Sequence, residues 1–283
     1  MESKKILIFG GAGALGKTLI KRYYNDNEVV IFSRDEHKHY HLLKEYPKVK
    51  SIIGDIKDKD SIKNALLKEK PNIVINAAAL KHVPVCEDNP YESVKTNIIG
   101  HQNVIECVSL CQIETLIFVS TDKACKPINV YGMCKAISEQ LYINFAKQQE
   151  ETKVVIVRYG NVLESTGSVI PYFKNLLKDS YPDSHGKIAV PKVKSLKVTD
   201  IADVLIDSYG VDVSLKEIGI RPGEKLHEEM VSSEEWRKTE SRDNFLLIGS
   251  VTTNDDNHSY NSLDYLMDSS EAHDFLKESG VIK

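Results

Sequence analysis

Four residues in the stretch "STDKACKPINVYGMCK", residues 120 to 135, have the types and spacing for proton chemistry. Tyr131 and Lys135 stand four apart, so on a helix beginning near Asn129 they share one face. A phenol in that position can exchange a proton with an alcohol while hydride leaves the neighbouring carbon. A lysine one turn further on can lower the phenol pKa through its charge. Just upstream, Asp122 and Lys123 are two more groups able to carry protons. A simple dehydrogenase needs only one proton-transfer group, so the second set asks for a reaction with more than one proton step. The plain alternatives are a strand-end ion pair for Asp122 and Lys123, and a surface Tyr and Lys on an amphipathic helix.

Such residues act together only if the chain brings them to one place. The first half alternates strand-like and helix-like stretches. "KKILIFG", "EVVIFSR", "VKSIIGD", "PNIVINAAA", "ETLIFVSTDK" and "TKVVIVRYGNV" read as six strands. Helices are expected from about Leu15 to Tyr24, over "DSIKNALLKEK", from about Pro90 to Cys111 and over "NVYGMCKAISEQLYINFAKQQ". Strands separated by helices imply parallel βαβ units with right-handed crossovers. Near-continuous apolar strands imply helices on both sheet faces. The fold class is α/β, a doubly wound parallel sheet of the Rossmann type. Asp122 and Lys123 then fall at the C-terminal end of the fifth strand, where open α/β sheets place their ligands. After about Leu163 the pattern loosens. A helix is expected over "KVTDIADVLIDSYG" with Thr199 or Asp200 as its cap, and a Pro-Gly turn before a helix in "IRPGEKLHEEM".

"GGAGALG" places Gly10, Gly13 and Gly16 between the first strand and its helix. Glycine lets the backbone turn sharply and approach a pyrophosphate, which rests on the helix N-terminus at Ala14 and Leu15. Loops use glycine freely, but this triplet directly follows a strand and opens a helix, which points to a dinucleotide. The second strand ends in Ser33, Arg34 and Asp35. Arg34 can stack on adenine and pair with a 2′-phosphate, so NADP is expected; Asp35 leaves NAD open. Asp55 and Ile56, after the third strand, would lie at the adenine. Ala77 and Ala78, after the fourth, offer small side chains where the backbone passes close to the cofactor. Lys135 would hold the nicotinamide ribose.

The 283 residues are 41% hydrophobic and 28% charged, with a net charge of -4 and mixed signs throughout. That balance suits a soluble globular chain with a substantial core. No basic tract suggests nucleic acid, and no cationic amphipathic segment suggests a membrane surface. The N-terminus superficially mimics a signal peptide, but its apolar run is interrupted and no small-residue cleavage site follows. No apolar run approaches the length of a transmembrane helix. The five cysteines form no Cys-x-x-Cys and fit a reducing compartment, so a cytoplasmic location is expected. Cys107 and Cys111 lie one helical turn apart, but no third or fourth ligand accompanies them. They read as small apolar residues, and no metal is expected.

The stretches "GGAGALGK", "NAAALKHVPVCEDNP", "KTNIIGHQNVIE", "STDKACKPINVYGMCK", "RYGNVLESTGSVIP" and "RPGEKLHEEM" together resemble one family over most of residues 4 to 240. It is the UDP-N-acetylglucosamine 4,6-dehydratases of the extended short-chain dehydrogenase/reductase superfamily, with the inverting, C5-epimerising members most similar. Some relatives carry Met where this chain has Tyr131, and the Tyr fits the inverting branch. The resemblance implies that Tyr131 takes the C4 hydroxyl proton and that Thr121 hydrogen-bonds the C4 oxygen. It implies that Lys123, with a depressed pKa, removes the C5 proton and that Asp122 protonates the departing C6 hydroxyl. It further implies cofactor contacts at Lys81 and Asn97. Substrate contacts are implied at Lys81, His82, Asn161, Ser168, Val169, Arg221 and Glu224. A purely structural role for "RPGEK", as a capped turn, stays open. One departure stands out: between "NLLKDS" and "GKIAVPK" the family carries a longer segment, where this chain has only "YPDSHGK".

The expected organisation is a cofactor-binding domain over residues 1–163 with a returning segment at about 188–210. A small substrate-binding lobe, shortened relative to the family, would take 164–187 and 211–283. The substrate implied is UDP-GlcNAc. A retaining dehydratase and a UDP-hexose 4-epimerase are rivals within the class, and a non-catalytic NADP(H)-binding sensor is a rival outside it. The helices at about 90–111 and 129–149 carry apolar residues beyond a single stripe, so a homo-oligomer is expected.

Overall fold

The computed structural model describes residues 4–160, 182–210, 212–221, 223–250 and 258–282. Seven strands run parallel: β1 (Lys5–Phe9), β2 (Glu28–Ser33), β3 (Lys50–Ile53), β4 (Ile73–Asn76), β5 (Thr115–Val119), β6 (Lys153–Val157) and β7 (Lys187–Pro191). Their order in the sheet is β3-β2-β1-β4-β5-β6-β7. The chain therefore moves outward from β1 to β3 and then crosses back to β4 on the other side of β1. That reversal is the switch point at which such sheets open a crevice.

Alternation along the strands explains why both faces are covered. Leu7, Phe9, Val30, Phe32, Val74, Leu116 and Phe118 belong to one buried cluster. Ile6, Ile8, Val29, Ile31, Ile75, Ile117 and Val119 belong to a second. With a side-chain period of two, each strand feeds both cores, which is why the strands read as unbroken apolar runs. The expected helices are present as α1 (Ala14–Tyr23), α3 (Lys59–Glu69) and α7 (Val130–Gln148), and α2 (Glu36–Glu45) is an addition. Only His39 and Leu42 of α2 are buried, so its apolar stripe is too thin to show as a period.

Four expectations are corrected. The single helix from Pro90 to Cys111 is instead α5 (Pro90–Val94), a π-helical turn (Lys95–Ile99) and α6 (Gly100–Val108), preceded by a short α4 (Val83–Asp88). The helix near residue 199 is α8 (Val198–Tyr209); its N-cap is Lys197, with no side-chain cap, rather than Thr199 or Asp200. The turn at "RPGEK" leads into a strand, β8 (Glu229–Val231), not a helix. β8 is held extended by pairing with β11 (Tyr260–Asn261) and by ties to the sheet domain described below. Finally, β9 (Thr239–Ser241) and β10 (Phe245–Ile248), in a stretch expected in the separate lobe, join the large sheet antiparallel beyond β7.

The four-residue α9 (Ser233–Trp236) follows β8, capped by Ser232 and Glu235 in a reciprocal box. The C-terminal α10 (Ser269–Glu278) carries a second such box at Asp268 and Glu271. It packs on α8 through Val204 and Leu276 in a small core of its own. Among the described residues no helix is long and apolar enough to cross a membrane.

Candidate active site

The C-terminal ends of β1, β2, β4 and β5 open into a cleft of about 390 Å³. Its floor is the glycine loop. Gly10 has φ +78°, and a Cβ there would lie 2.8 Å from the Ala78 amide nitrogen. A Cβ on Gly16 would lie 2.1 Å from the Gly11 carbonyl oxygen. Neither position admits a side chain without moving backbone. Gly13 is the N-cap of α1 and supplies no capping side chain, so the first-turn N–H groups remain available to an anion. Ala14 and Leu15 line the cleft beside it. These features fit the pyrophosphate of a dinucleotide.

Ser33, Arg34, Asp35, Asp55 and Ile56 all line the far end of the same cleft, joined by Lys38. Their partners differ. Asp35 caps α2: its carboxylate accepts from the Lys38 amide at 3.1 Å and pairs with the Lys38 ammonium at 3.1 Å. The amide hydrogen bond, with the ammonium adding to it, holds its pKa below the usual carboxylate value. The Ser33 hydroxyl is engaged by Nε2 of His39. Arg34 is half exposed and lies 3.7 Å from the Asp55 carboxylate.

Ala77, Ala78, Lys81 and His82 form the wall after β4. Asn97 does not line the cleft. It is fully buried in the π-helical turn, where its side chain accepts from the Leu80 amide at 2.9 Å and donates to the Leu80 carbonyl at 2.8 Å. Its part is to hold the wall rather than to face the opening.

At the inner end stand Tyr131 and Lys135. The helix carrying them starts where it does because the Asn129 side chain accepts from the Gly132 amide at 2.7 Å. Gly132 also lets α7 approach the strand end, since a Cβ there would lie 2.2 Å from the Lys123 carbonyl oxygen. Lys135 is buried, and burial pushes its pKa down to about 7, with Glu139 acting in the opposite direction. Its Nζ donates to the Val119 carbonyl at 2.5 Å and lies 4.2 Å from the Phe118 ring centroid. Burial raises the Tyr131 phenol above its usual value, with a further push from Tyr159 and opposed by a hydrogen bond with Thr121. The lowering expected for that phenol is therefore corrected: burial raises it instead.

Asp122 and Lys123 lie beside the cleft on a 3-10 turn (Asp122–Ala124). Thr121 stands between the two sets: its hydroxyl donates to Asp122 Oδ1 at 2.8 Å, and α7 packs on this turn so closely that a Cβ on Gly132 would lie 2.2 Å from the Lys123 carbonyl oxygen. Asp122 Oδ1 also accepts from the Lys123 amide at 2.8 Å and from its ammonium at 3.2 Å. The Lys123 ammonium meets Glu228 Oε1 at 2.9 Å. Burial alone would lower the Lys123 pKa, but Asp122 and Glu228 together raise it above the usual lysine value. The depressed pKa expected for Lys123 is thus also corrected, and the causes are the adjacent Asp122 carboxylate and Glu228 from a distant part of the chain.

The turn at residues 221–224 closes on itself: the Arg221 amide donates to the Glu224 carboxylate at 3.2 Å, and the Glu224 amide to the Arg221 carbonyl at 3.1 Å. Both side chains are exposed and neither lines the cleft. The turn docks on the start of α7, where Asn129 Nδ2 donates to the Gly223 carbonyl at 2.8 Å. Asn161, Ser168 and Val169, with the short "YPDSHGK" segment's start, fall outside the described residues. Sequence reasoning missed Lys38, Ser120 and Tyr159, which line the cleft, and Glu228, which does not. Glu228 lies inside a stretch already singled out, but spacing alone cannot say which of Glu224, Glu228 and Glu229 reaches Lys123.

The chain is similar to known proteins over most of its length. The chain is 38% identical to a UDP-N-acetylglucosamine 4,6-dehydratase (inverting) of Campylobacter jejuni, over 87% of this chain and 83% of that one. It is 35% identical to a UDP-glucose 4-epimerase of Rickettsia bellii, over 87% of this chain and 82% of that one. The X-ray structure of Pen from Bacillus thuringiensis superposes with a TM-score of 0.86 at 28% identity, covering 99% of each chain, so the two match nearly end to end. A family model described as polysaccharide biosynthesis protein matches residues 6–183 and 179–249, a span that holds the glycine loop, the Tyr131–Lys135 pair and the Glu228 segment alike. By that span and these identities, the chain belongs to the polysaccharide biosynthesis protein family.

Proposed function

We propose that this chain is an NADP-dependent UDP-GlcNAc 4,6-dehydratase that inverts C5. Its product would be UDP-2-acetamido-2,6-dideoxy-beta-L-arabino-hex-4-ulose, used in nucleotide-sugar and glycan synthesis. The observation that carries this reading is the meeting of two proton-transfer sets after β5, where the start of α7, with Tyr131 and Lys135, packs against the turn that holds Asp122 and Lys123. Bound NADP⁺ would accept hydride from C4 and return it to C6 in each cycle, with no net redox. Tyr131 takes the C4 hydroxyl proton. The ketone so formed acidifies C5–H, and Lys123 removes that proton. Asp122 in its protonated form gives its proton to the leaving C6 hydroxyl, the C6–O bond breaks, and water departs. Protonation of C5 from the opposite face completes the inversion. Asp122 and Lys123 act as a coupled set, sharing hydrogen bonds as they do.

NADP rather than NAD is favoured because Asp35 is occupied as a helix cap, while Arg34 and Lys38 both reach the cleft. Lys81 and His82 on the wall after β4 are proposed to face cofactor and sugar, and Arg221 and Glu224 to meet diphosphate and ribose when substrate is present. Asn161, Ser168 and Val169 are proposed as further substrate contacts. The enzyme is proposed to be cytoplasmic and homo-oligomeric. Ile99, Met133 and Ile137, each about half exposed on the packed π-helical turn and α7, supply an apolar face for a second copy.

A 4-epimerase is the second reading, favoured by the Rickettsia relative. It requires Tyr131 and Lys135 but not Asp122 and Lys123. Lys123→Ala therefore decides between them: loss of dehydration with C4 oxidation retained supports the dehydratase, and retained interconversion of UDP-hexoses in that variant overturns it.

A further inference from the structure

Lys123 is held between two carboxylates, and each has one oxygen left over. Asp122 Oδ1 carries three hydrogen bonds, while Asp122 Oδ2 is buried with no hydrogen-bond partner among the described residues. Glu228 Oε1 meets the Lys123 ammonium at 2.9 Å, while Glu228 Oε2 is likewise buried without a partner. A buried carboxylate oxygen that accepts nothing is costly, and the cost falls if the oxygen carries a proton or meets a ligand. The two residues come from parts of the chain far apart in sequence. Asp122 opens the 3-10 turn after β5, and Glu228 immediately precedes β8.

Glu228 is not placed there loosely. Next along the chain, Glu229 pairs with Lys126 at 2.9 Å. The Met230 carbonyl then accepts from Arg158 Nη1 at 2.8 Å. Gly160, whose Cβ would lie 3.2 Å from Asp122 Oδ2 and 3.7 Å from Met230 Sδ, leaves room for the β8 segment to close over Asp122. Two basic side chains flanking the Lys123 contact thus fix the segment that carries Glu228. The charged groups facing Lys123 are Asp122 on its own turn and Glu228 from this segment. Tyr131 and Tyr159 face Asp122 from the other side.

We propose that Glu228 is a positioning residue for the C5 proton step: it holds the Lys123 ammonium group at the strand end and accepts its proton when the amine must act as base. This rests on the dehydratase reading above. In the step, one N–H bond of Lys123 breaks and one O–H bond forms on Glu228, leaving a neutral amine and a neutral carboxylic acid. The amine lone pair then takes the C5 proton, and the C–H electron pair passes into the enolate of the 4-ketone. A raised lysine pKa is compatible with a base under this arrangement, because the acceptor for its proton lies within hydrogen-bond reach.

Competitive amine labelling along an alkaline pH series, read peptide by peptide, gives the titration midpoint of Lys123 in the protein without substrate. Glu228→Gln is expected to lower that midpoint by about one pH unit or more, as loss of an opposite charge at this distance does. Glu228→Asp, which keeps the charge, is expected to stay near the parent. A midpoint unchanged in Glu228→Gln overturns the proposal. Should Glu228→Gln fail to fold, Glu228→Met is read the same way. With UDP-GlcNAc, C5–H exchange is expected to be nearly independent of pH around neutrality in the parent, where Glu228 takes the lysine proton, and to rise about tenfold per pH unit in Glu228→Gln, where solvent must take it, with C4 oxidation kept in both. A loss equal at every pH means Glu228 is only structural and overturns the relay. If the parent protein itself leaves UDP-GlcNAc unchanged, the dehydratase reading fails, and the labelling result still decides the pairing.

Discussion

Two lysines, Lys123 on the turn after β5 and Lys135 on α7, are pushed in opposite directions, and their neighbours explain why. Lys135 is buried against the Phe118 ring and a backbone carbonyl, with Glu139 too weak to offset burial, and its pKa falls to about 7. Lys123 has two carboxylates within reach and moves above the usual lysine value. The Lys135 shift has a consequence for stability. The unfolded chain keeps that lysine's proton to near its model value of 10.5, while the folded chain releases it near 7. Between those values the unfolded state binds more protons, so this group's contribution to stability rises with pH and its penalty is fully present below about 7. Thermal melts of the parent and Lys135→Met without cofactor, across that window, are expected to show a positive slope in the parent that is reduced in the variant. At the other end of the cleft, Arg34→Ala is expected to weaken NADP binding about tenfold while leaving NAD nearly unchanged, consistent with loss of one charged contact to a 2′-phosphate. Titration calorimetry with both cofactors checks it. The types and spacing of Tyr131, Lys135, Asp122 and Lys123 were legible in the sequence. Their protonation was not, because it depends on burial and on Glu228, more than a hundred residues away.

At the scale of elements, the wall of the cleft after β4 is held from a place where helix geometry changes. The π-helical turn at Lys95–Ile99 interrupts what the apolar pattern presents as one helix, and it carries Asn97 to both backbone groups of Leu80. Asn97→Ala is expected to destabilise the fold by about 1–3 kcal/mol, the usual cost of stranding buried polar groups, and to weaken cofactor binding by loosening the wall. Urea unfolding and cofactor titration on the same variant test both. The glycine loop gives a sharper expectation. Gly16→Ala puts a methyl group against the Gly11 carbonyl oxygen, so it is expected to abolish cofactor binding or folding outright, measured by the same titration. The six strands of the first half and α7 were legible because buried parallel strands and long amphipathic helices have strong patterns. The π-turn was not, since its composition is that of any helix. Nor was β8, which is extended because of its partners and not its own residues.

At the scale of the whole molecule, the C-terminal segment joins the sheet through β9 and β10, and a buried cation ties it to the catalytic helix as well. Arg158, at the end of β6, pairs with Glu139 of α7 at 2.7 Å and with Glu235 of α9 at 2.8 Å, and donates to the Met230 carbonyl. Glu139 in turn accepts from Ser120 at 2.6 Å, one residue from Thr121. The catalytic helix, the strand end and the segment carrying Glu228 therefore share one network. Arg158→Met leaves two carboxylates without their counter-ion and is expected to cost about 3–5 kcal/mol, read by urea unfolding. Sedimentation at micromolar concentration tests the proposed homo-oligomer: a dimer or larger species is expected, and a monomer contradicts it. The central claim is that both proton-transfer sets serve one reaction, and incubation with UDP-GlcNAc in D₂O, followed by NMR, tests it most directly. The expected result is loss of water, a 4-keto-6-deoxy sugar, deuterium at C5 and the L-arabino configuration. Unchanged UDP-GlcNAc in the presence of bound NADP⁺, or a C4 epimer with no deuterium at C5, would contradict it.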